Sequence, residues 1–266
     1  MPSLSTAGSR VIGIDCASRD ENMGLVLGEV SAGRLTVLEV RDTLPEVLPI
    51  LKEWVLTHDP VLLALDAPLG WPNGMGSRLA SHRAGEGIPV SPDELFARHT
   101  DRFVRERTKK RPMEVGANLI ARTALRAVNL LEELRTQTGG ALPVATTSGP
   151  PPEPSVMEVY PALVLRSRGL SEVGYKGQGR EKERIRSDLL RALAGELILA
   201  CPGNRVVGTD HAFDATLCAL CALDFLREDV VEPDDPGRVL SEGWIWFRPC
   251  GSSAAHHPGG KGEGGA

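Results

Sequence analysis

Two apolar runs of strand length, each ending on one aspartate, constrain the fold of this chain more than any other feature. Residues 11–14 lead into Asp15, and residues 61–65 lead into Asp66. Continuous apolar runs of this length are typical of strands that are buried on both faces of an α/β sheet. A carboxylate is costly to bury unless a cation or hydrogen-bond donors meet it. Because open α/β sheets bind ligands beyond the carboxyl ends of their strands, we expect the two aspartates to share a cation site.

The order of the predicted elements brings these two strands together. The first strand covers residues 10–17, and an antiparallel hairpin follows over residues 23–30 and 35–40. A helix then crosses over, so that the strand over residues 61–66 pairs in parallel with the first one. The two aspartates should therefore end neighbouring strands.

The remaining chain predicts one domain with a long insertion. Residues 68–115 are rich in glycine and proline and lack a regular pattern, so we expect a loop that overhangs the site. Thr43 and Glu46 fit a capping box at the start of the crossover helix. Later helices are expected over residues 115–137, 163–168, 180–200 and 210–227, and later strands over residues 156–160 and 243–247. The expected domain covers residues 10–249, and the composition of residues 251–266 predicts a disordered tail.

The charge of the chain is unevenly distributed. The 266 residues carry a formal net charge of −5, which argues against a protein coated with basic surface. One segment is strongly basic, however, because residues 98–111 contain seven cationic side chains and two acidic ones. Such a run is either a solvated helix face or a surface that faces phosphate groups, and the sequence leaves both interpretations open.

Cysteine content and hydropathy favour a protein of the reducing cytoplasm. The five cysteines are scattered without the spacing of a disulfide framework. Cys218 and Cys221 form a C-x-x-C motif inside an apolar helical run, so we interpret them as small buried side chains. We expect no signal peptide, because a basic start followed by an apolar stretch is missing, and no apolar run approaches the ~20 residues that a membrane helix needs. We therefore expect a cytoplasmic location and no membrane partner.

The last long helix supplies a third carboxylate. Asp210 and Asp214 are four residues apart and share one face of this helix. Asp210 is equally well placed to be the N-cap residue. Asp214 lies in a stretch that should be buried, where a charged side chain needs a partner. Glu158, on a further short strand, is another candidate.

Together these acids have the chemistry of a divalent metal site. Asp15, Asp66 and Asp214 converge from two strands and one helix, with Glu158 or Asp210 as a fourth ligand. Hard oxygen ligands of this kind suit Mg²⁺ or Mn²⁺ and not zinc. Two such ions about 3.5–4 Å apart can activate water and stabilise the leaving oxygen in phosphodiester hydrolysis.

A series of motifs along nearly the whole chain resembles one protein family. In order they are GIDCAS (13–18), ALDAPLGWP (64–72), RHTDRFVR (98–105), EVYPALVL (158–165), GYKG (174–177), DHAFDATLCAL (210–220) and EGWIWF (242–247). This series resembles the DUF429 family of predicted nucleases. The order of the elements resembles the ribonuclease H-like fold, an α/β fold whose mixed sheet has three antiparallel strands followed by parallel ones, flanked by helices. The DHAFDA segment is similar to the final helix of Holliday-junction resolvases of the RuvC type.

The resemblance implies roles for individual residues. Asp15, Asp66 and Asp214 would bind Mg²⁺ or Mn²⁺, with Asp210 as a further ligand. Glu158 would join the catalytic acids, and His211 would assist proton transfer. The substrate would be nucleic acid, either DNA or RNA. By the resemblance, Arg98 and Arg102 would contact substrate phosphate. The further basic residues expected to bind substrate, which do not rest on the resemblance, are Lys109, Lys110, Arg111 and Lys176.

Three functions remain open from the sequence. The first is a metal-dependent nuclease, and the second is a non-catalytic protein of the same fold that binds a metal ion and a partner. The third is an ATP-binding protein similar to actin or the sugar kinases. We rank it last because CASR, and not a Gly-Thr phosphate hairpin, follows Asp15, and because no second three-strand unit appears.

Overall fold

The computed structural model describes residues 8–58, 60–116 and 118–250, so the predicted disordered tail over residues 251–266 lies outside the described residues. The strands are β1 (Ser9–Asp15), β2 (Gly24–Ser31), β3 (Arg34–Asp42), β4 (Val61–Asp66), β5 (Ser155–Val159), β6 (Leu197–Leu199) and β7 (Ile245–Trp246). The α-helices are α1 (Leu48–Thr57), α2 (Asn73–Leu79), α3 (Pro92–Phe96), α4 (His99–Thr108), α5 (Asn118–Thr138), α6 (Pro161–Ser167), α7 (Arg180–Ala192), α8 (Gly203–Val207), α9 (Asp210–Leu226) and α10 (Pro236–Glu242). Within this part of the chain, no helix combines the length and the hydropathy needed to cross a bilayer.

The strands form one mixed sheet in the order β6-β3-β2-β1-β4-β5-β7. β1, β2 and β3 are antiparallel, and β4, β5 and β7 continue from β1 as parallel strands. β6 pairs in parallel with β3 at the other edge. The predicted fold class, an α/β mixed sheet flanked by helices, is confirmed, and its topology is consistent with a ribonuclease H-like fold.

Helices cover both faces of this sheet. On one face, α6, α7 and α9 pack against sheet residues such as Val11 and Leu62. On the other face, α1 and α5 pack against Ile12 and Leu63, the residues that follow Val11 and Leu62 in β1 and β4. Successive strand residues point to opposite faces. Burial on both faces therefore explains why the runs before the two aspartates are apolar without alternation.

The insertion is helical, which corrects the prediction of an irregular loop over residues 68–115. It contains α2, α3 and α4. A capping box between Ser91 and Glu94 starts α3. The buried side of α4 is largely polar, since three of its four buried residues are Thr100, Asp101 and Thr108. Apolar residues at helical spacing are therefore absent from α4, and the sequence pattern does not reveal the helix.

Two further predictions are wrong because contacts distant in sequence decide the outcome. The helix expected over residues 180–200 stops at the end of α7, since the following segment forms β6 and pairs with β3. The capping box of Thr43 and Glu46 is absent. Asp20 instead accepts a hydrogen bond from the amide of Val47, the N-cap residue of α1, at 3.1 Å.

A buried ion-pair network fastens the insertion to the sheet. Arg98, which precedes α4, is 1% exposed. Its guanidinium donates to Glu158 Oε1 at 2.7 Å and to Asp101 Oδ1 at 2.8 Å. It also donates to the carbonyl oxygen of Glu242 at 3.1 Å, and Glu158 accepts a further hydrogen bond from the amide of Leu69 at 3.0 Å. Arg98 is thus engaged inside the protein, which corrects the expectation that it contacts substrate phosphate.

Replacement of Arg98 by alanine should lower the free energy of unfolding by about 3–5 kcal/mol, because Glu158 and Asp101 would stay buried without their cation. Arg105 on α4 offers a matched control, since its ion pair with Asp93 is partly exposed. Arg105→Ala should cost less than about 1 kcal/mol. Urea denaturation followed by circular dichroism measures both values, and equal losses would contradict the structural role of Arg98.

Candidate metal centre

Asp15 and Asp66 end two neighbouring parallel strands. They are the last residues of β1 and β4, and the strand register pairs them directly. Both strands are central in the sheet, so the two carboxylates emerge at the same edge, beyond the carboxyl ends of the strands. Backbone pairing, and not the conformation of a loop, therefore sets their relative position.

Helix α9 reaches the same edge because it lies directly against the backbone of the sheet. A Cβ atom on Gly13 of β1 would lie 2.0 Å from the carbonyl oxygen of Ala215. A Cβ atom on Gly24 of β2 would lie 2.1 Å from the carbonyl oxygen of His211. Glycine at these two positions permits an approach that any side chain would prevent. The approach brings Asp214 of α9 to the two strand ends.

The three aspartates form a compact cluster. One oxygen of each of Asp15, Asp66 and Asp214 lies within 4.8 Å of the others. Asp15 and Asp214 are 7% and 1% exposed, and Asp66 is partly exposed. Three carboxylates at this spacing supply the hard oxygen donors that Mg²⁺ and Mn²⁺ prefer. The donor set therefore fits a divalent metal ion.

Burial and mutual repulsion disfavour the ionised forms of these acids. Burial raises the pKa of Asp15 to about 6, although the hydrogen bond with His211 opposes the rise. Burial, followed by the charges of Asp15 and Asp214, raises the pKa of Asp66 well above its ordinary value. Burial likewise raises the pKa of Asp214. A bound cation would reverse this preference, because it stabilises the carboxylate form.

Asp15 and Asp66 retain oxygens that could bind an ion. Oδ2 of Asp15 lies 2.8 Å from Nδ1 of His211, the second residue of α9. This hydrogen bond raises the pKa of His211. Among the described residues, no hydrogen-bond donor contacts the side chain of Asp66. Asp66 is therefore the least compensated acid of the cluster.

Asp214 has a protein partner at each oxygen. The phenol of Tyr175 donates to Oδ1 at 2.7 Å, and the ammonium of Lys176 lies 2.7 Å from Oδ2. Although burial opposes it, the charges of Asp214 and Asp66 raise the pKa of Lys176 above its ordinary value. The cluster thus contains one protein cation that contacts a carboxylate from the solvent side.

The loop over residues 174–179, which carries these two groups, is anchored by a buried arginine. Arg186 of α7 is 0% exposed. Its guanidinium donates to the carbonyl oxygens of Tyr175 and Gly177 at 2.7 and 2.9 Å. It also donates to two carbonyl oxygens of the turn before α9, at 2.7 and 3.2 Å. Arg186 therefore holds the loop in a fixed position relative to the start of α9.

Asp210 and Glu158 do not join the cluster, which corrects the expectation that one of them is a fourth ligand. Oδ2 of Asp210 accepts a hydrogen bond from the amide of Gly177 at 2.8 Å. Asp210 is not the N-cap either, since the hydroxyl of Thr209 accepts from the amide of Ala212. Glu158 is engaged by the guanidinium network described above, so its oxygens face the insertion.

The predicted substrate-binding cations of the basic segment are partly engaged within the protein. Arg98 is buried, and Arg102 donates to two backbone carbonyl oxygens. Lys110 and Arg111 each lie beside a glutamate, and Lys109 donates to a carbonyl oxygen of its own helix. Arg111 is nevertheless 62% exposed, and Lys109 is also exposed. Lys109 and Arg111 are therefore the exposed cations at the end of the basic segment, and Arg107 on α4 is exposed as well.

Sequence reasoning does not single out Tyr175 or Arg186 as part of the site. A signal for Tyr175 exists, because it is one of only two tyrosines in the chain and lies in the GYKG motif. For Arg186 the signal is its spacing, three and seven residues before Leu189 and Leu193, which are both buried. An arginine at an inward position of a helix needs internal partners, although the sequence does not say which.

A family model described as a protein of unknown function, DUF429, matches residues 13–238. The match extends from β1 into α10 and includes the three aspartates of the cluster and the loop with Lys176. No curated protein matches the chain.

Replacement of Asp66 by asparagine should raise the free energy of unfolding of the metal-free protein near neutral pH by about 1 kcal/mol or more. Folding raises the pKa of this carboxyl group. Its ionisation therefore begins to destabilise the fold once the pH exceeds the unfolded pKa, and the full destabilisation is reached above the folded pKa. Below the unfolded pKa the group is protonated in both states, and the destabilisation is absent. The gain should therefore appear as the pH rises from about 4 to neutrality.

Urea denaturation in EDTA, at about pH 4 and near neutral pH, measures this gain in the free energy of unfolding. Asp188→Asn is a suitable control, since Asp188 is 54% exposed on α7. It should change the stability little at either pH. A loss of stability in Asp66→Asn near neutral pH would instead identify a structural carboxylate.

Proposed function

The chain belongs to the DUF429 family, and from this premise we propose that it is a metal-dependent nuclease that hydrolyses phosphodiester bonds of nucleic acid. The observation that carries the proposal is the meeting of Asp15, Asp66 and Asp214, with one oxygen of each within 4.8 Å of the others. These acids lie at the carboxyl edge of central strands in a sheet consistent with the ribonuclease H-like fold. Three clustered carboxylates on such an edge suit a catalytic Mg²⁺ or Mn²⁺ ion.

The residues of the chain would divide the work as follows. A bound ion would supply an activated water and neutralise charge on the phosphate. Asp66, which has no hydrogen-bond donor among the described residues, and the free oxygen of Asp15 would hold it together with Asp214. His211 would donate or accept the proton that moves in hydrolysis. Its Nδ1 is bound to Asp15 and its side chain is 36% exposed, so Nε2 is the nitrogen available for that transfer.

The exposed basic tip at residues 109–111 supports nucleic acid as the substrate class. It is followed directly by Pro112 and Met113, which line a pocket together with Asp66. A strand that reaches the aspartates would therefore pass close to these cations. Because the whole chain carries a net charge of −5, attraction to a polyanion requires such a local concentration of positive charge.

A cleavage assay tests the proposed activity. Purified protein is incubated with Mg²⁺ or Mn²⁺ and with single-stranded, duplex, hybrid and junction substrates. Wild-type protein should cleave at least one of them, and EDTA should stop the reaction. Asp66→Asn should lower the rate by more than about 100-fold, since even outer-sphere partners of metal ligands contribute 10–100-fold.

Asp234→Asn provides the matched control, because Asp234 is an exposed acid that pairs with His99 on α4 and not with a residue of the cluster. It should cleave at the wild-type rate. Binding of Mn²⁺ without hydrolysis of any substrate would favour the non-catalytic alternative, in which the fold binds an ion and a partner. Cleavage that persists in Asp66→Asn would remove the aspartates from the reaction.

Replacement of Lys109, Lys110 and Arg111 by alanine should weaken nucleic-acid binding and reduce its salt dependence. Each phosphate contact contributes about 0.9 to the slope of log affinity against log salt concentration for duplex DNA, so three lost contacts should lower the slope by about 2–3. Fluorescence anisotropy with a labelled substrate measures this slope.

A control triple variant removes the same charge from the opposite end of the strands. Arg10 and Arg34 lie at the amino-terminal ends of β1 and β3, and Arg227 contacts the β2–β3 turn at the same end. Alanine at these three positions should leave the slope unchanged. Equal slopes for the two triple variants would exclude a specific role of residues 109–111 in binding.

A further inference from the structure

Lys176 places a positive charge inside the carboxylate cluster. Its Nζ lies 2.7 Å from Oδ2 of Asp214, while Tyr175 donates to Oδ1 of the same carboxylate. Each carboxylate oxygen has two lone pairs. Asp214 can therefore still contribute to a metal ion, although the ammonium of Lys176 already lies beside Oδ2.

The charge of the cluster matches one divalent ion and not two. With the imidazole of His211 neutral, the three ionised aspartates carry −3, and the ammonium of Lys176 reduces this to −2. One divalent ion brings the sum to zero, whereas two would leave +2. The two acids that could supply more negative charge are engaged elsewhere, Asp210 with the amide of Gly177 and Glu158 with Arg98.

The backbone of the loop that carries Lys176 is held by the fold. Lys176 follows Tyr175 in the loop that Arg186 anchors through four backbone carbonyl oxygens. Among the described residues, Arg186 has no carboxylate partner. A buried guanidinium without an ion pair is costly. The unfavourable burial of the Arg186 guanidinium therefore accompanies the placement of the loop, which carries Lys176, against the cluster.

We propose that the carboxylate cluster binds a single divalent metal ion and that the ammonium of Lys176 takes the place of a second one. This inference rests on the divalent ion of the proposed function. It specifies the number of ions and identifies Lys176 as the residue that sets this number. The ammonium supplies the positive charge beside Asp214 that a second metal ion would supply in a two-ion site.

Titration with Mn²⁺ tests the inference without an activity measurement. Isothermal calorimetry gives the number of ions bound to the full chain, and electron paramagnetic resonance distinguishes an isolated Mn²⁺ from a coupled pair. Wild-type protein should bind one ion with the spectrum of an isolated centre. Lys176→Met should bind two ions with a coupled spectrum, because it leaves the cluster at −3 and frees Oδ2 of Asp214.

Two further variants separate charge from packing. Lys176→Gln keeps a hydrogen-bond donor without the charge and should also bind two ions. Lys52→Met makes the same substitution on α1, which packs on the face of the sheet opposite to α9, and should bind one ion. Thermal unfolding of each variant establishes that it is folded before titration.

Two ions or no ion bound by wild-type protein would overturn the inference, and so would one ion bound by both Lys176 variants. The outcome is distinguishable from failure of the nuclease proposal. Hydrolysis by wild-type protein that binds two ions would leave the nuclease proposal standing and remove this inference. One ion in wild type and two in Lys176→Met, without hydrolysis of any substrate, would support this inference and contradict the nuclease proposal.

Discussion

The site depends on holding three like charges close together in a poorly solvated place. Backbone pairing fixes Asp15 beside Asp66, and the glycines of β1 and β2 let α9 bring Asp214 to them. The repulsion and desolvation of the carboxylates oppose this arrangement. The apolar packing of α9, which is buried over most of its length, offsets them. A cluster that costs stability in this way is typical of functional sites and not of structural ones.

Two of the buried acids outside the cluster differ from the cluster in their partners. Glu158 and Asp224 each meet an arginine, Arg98 at 2.7 Å and Arg168 at 2.9 Å. A planar guanidinium can engage both oxygens of a carboxylate at once, which leaves little capacity for another ligand. In the cluster, Asp15 meets a histidine and Asp214 meets a tyrosine and a lysine, each at one oxygen, and Asp66 has no such partner among the described residues. This difference in partners, and not burial alone, indicates which carboxylates are available to a metal ion.

The local sequence pattern predicts those features of the fold that depend on residues close together in the chain. The apolar runs before Asp15 and Asp66 specify strands buried on both faces, and the order of the elements specifies that these strands are neighbours. The roles of Asp210 and Glu158 could not be predicted in this way. Each is decided by a partner distant in the chain, the amide of Gly177 at 33 residues and the guanidinium of Arg98 at 60 residues. The helices of the insertion were missed because they are short and because the buried side of α4 is polar.

The same distinction applies to the basic segment. Seven cations between residues 98 and 111 resemble a phosphate-binding surface in sequence, but Arg98 and Arg105 form ion pairs with the protein's own carboxylates. The exposed end of the segment, at Arg111, is followed in the chain by Pro112 and Met113, which line a pocket together with Asp66. At physiological ionic strength, charges more than about 8 Å apart are largely screened. The net charge of −5 therefore does not cancel the local positive charge of these residues, because the acidic surface that lies farther away is screened.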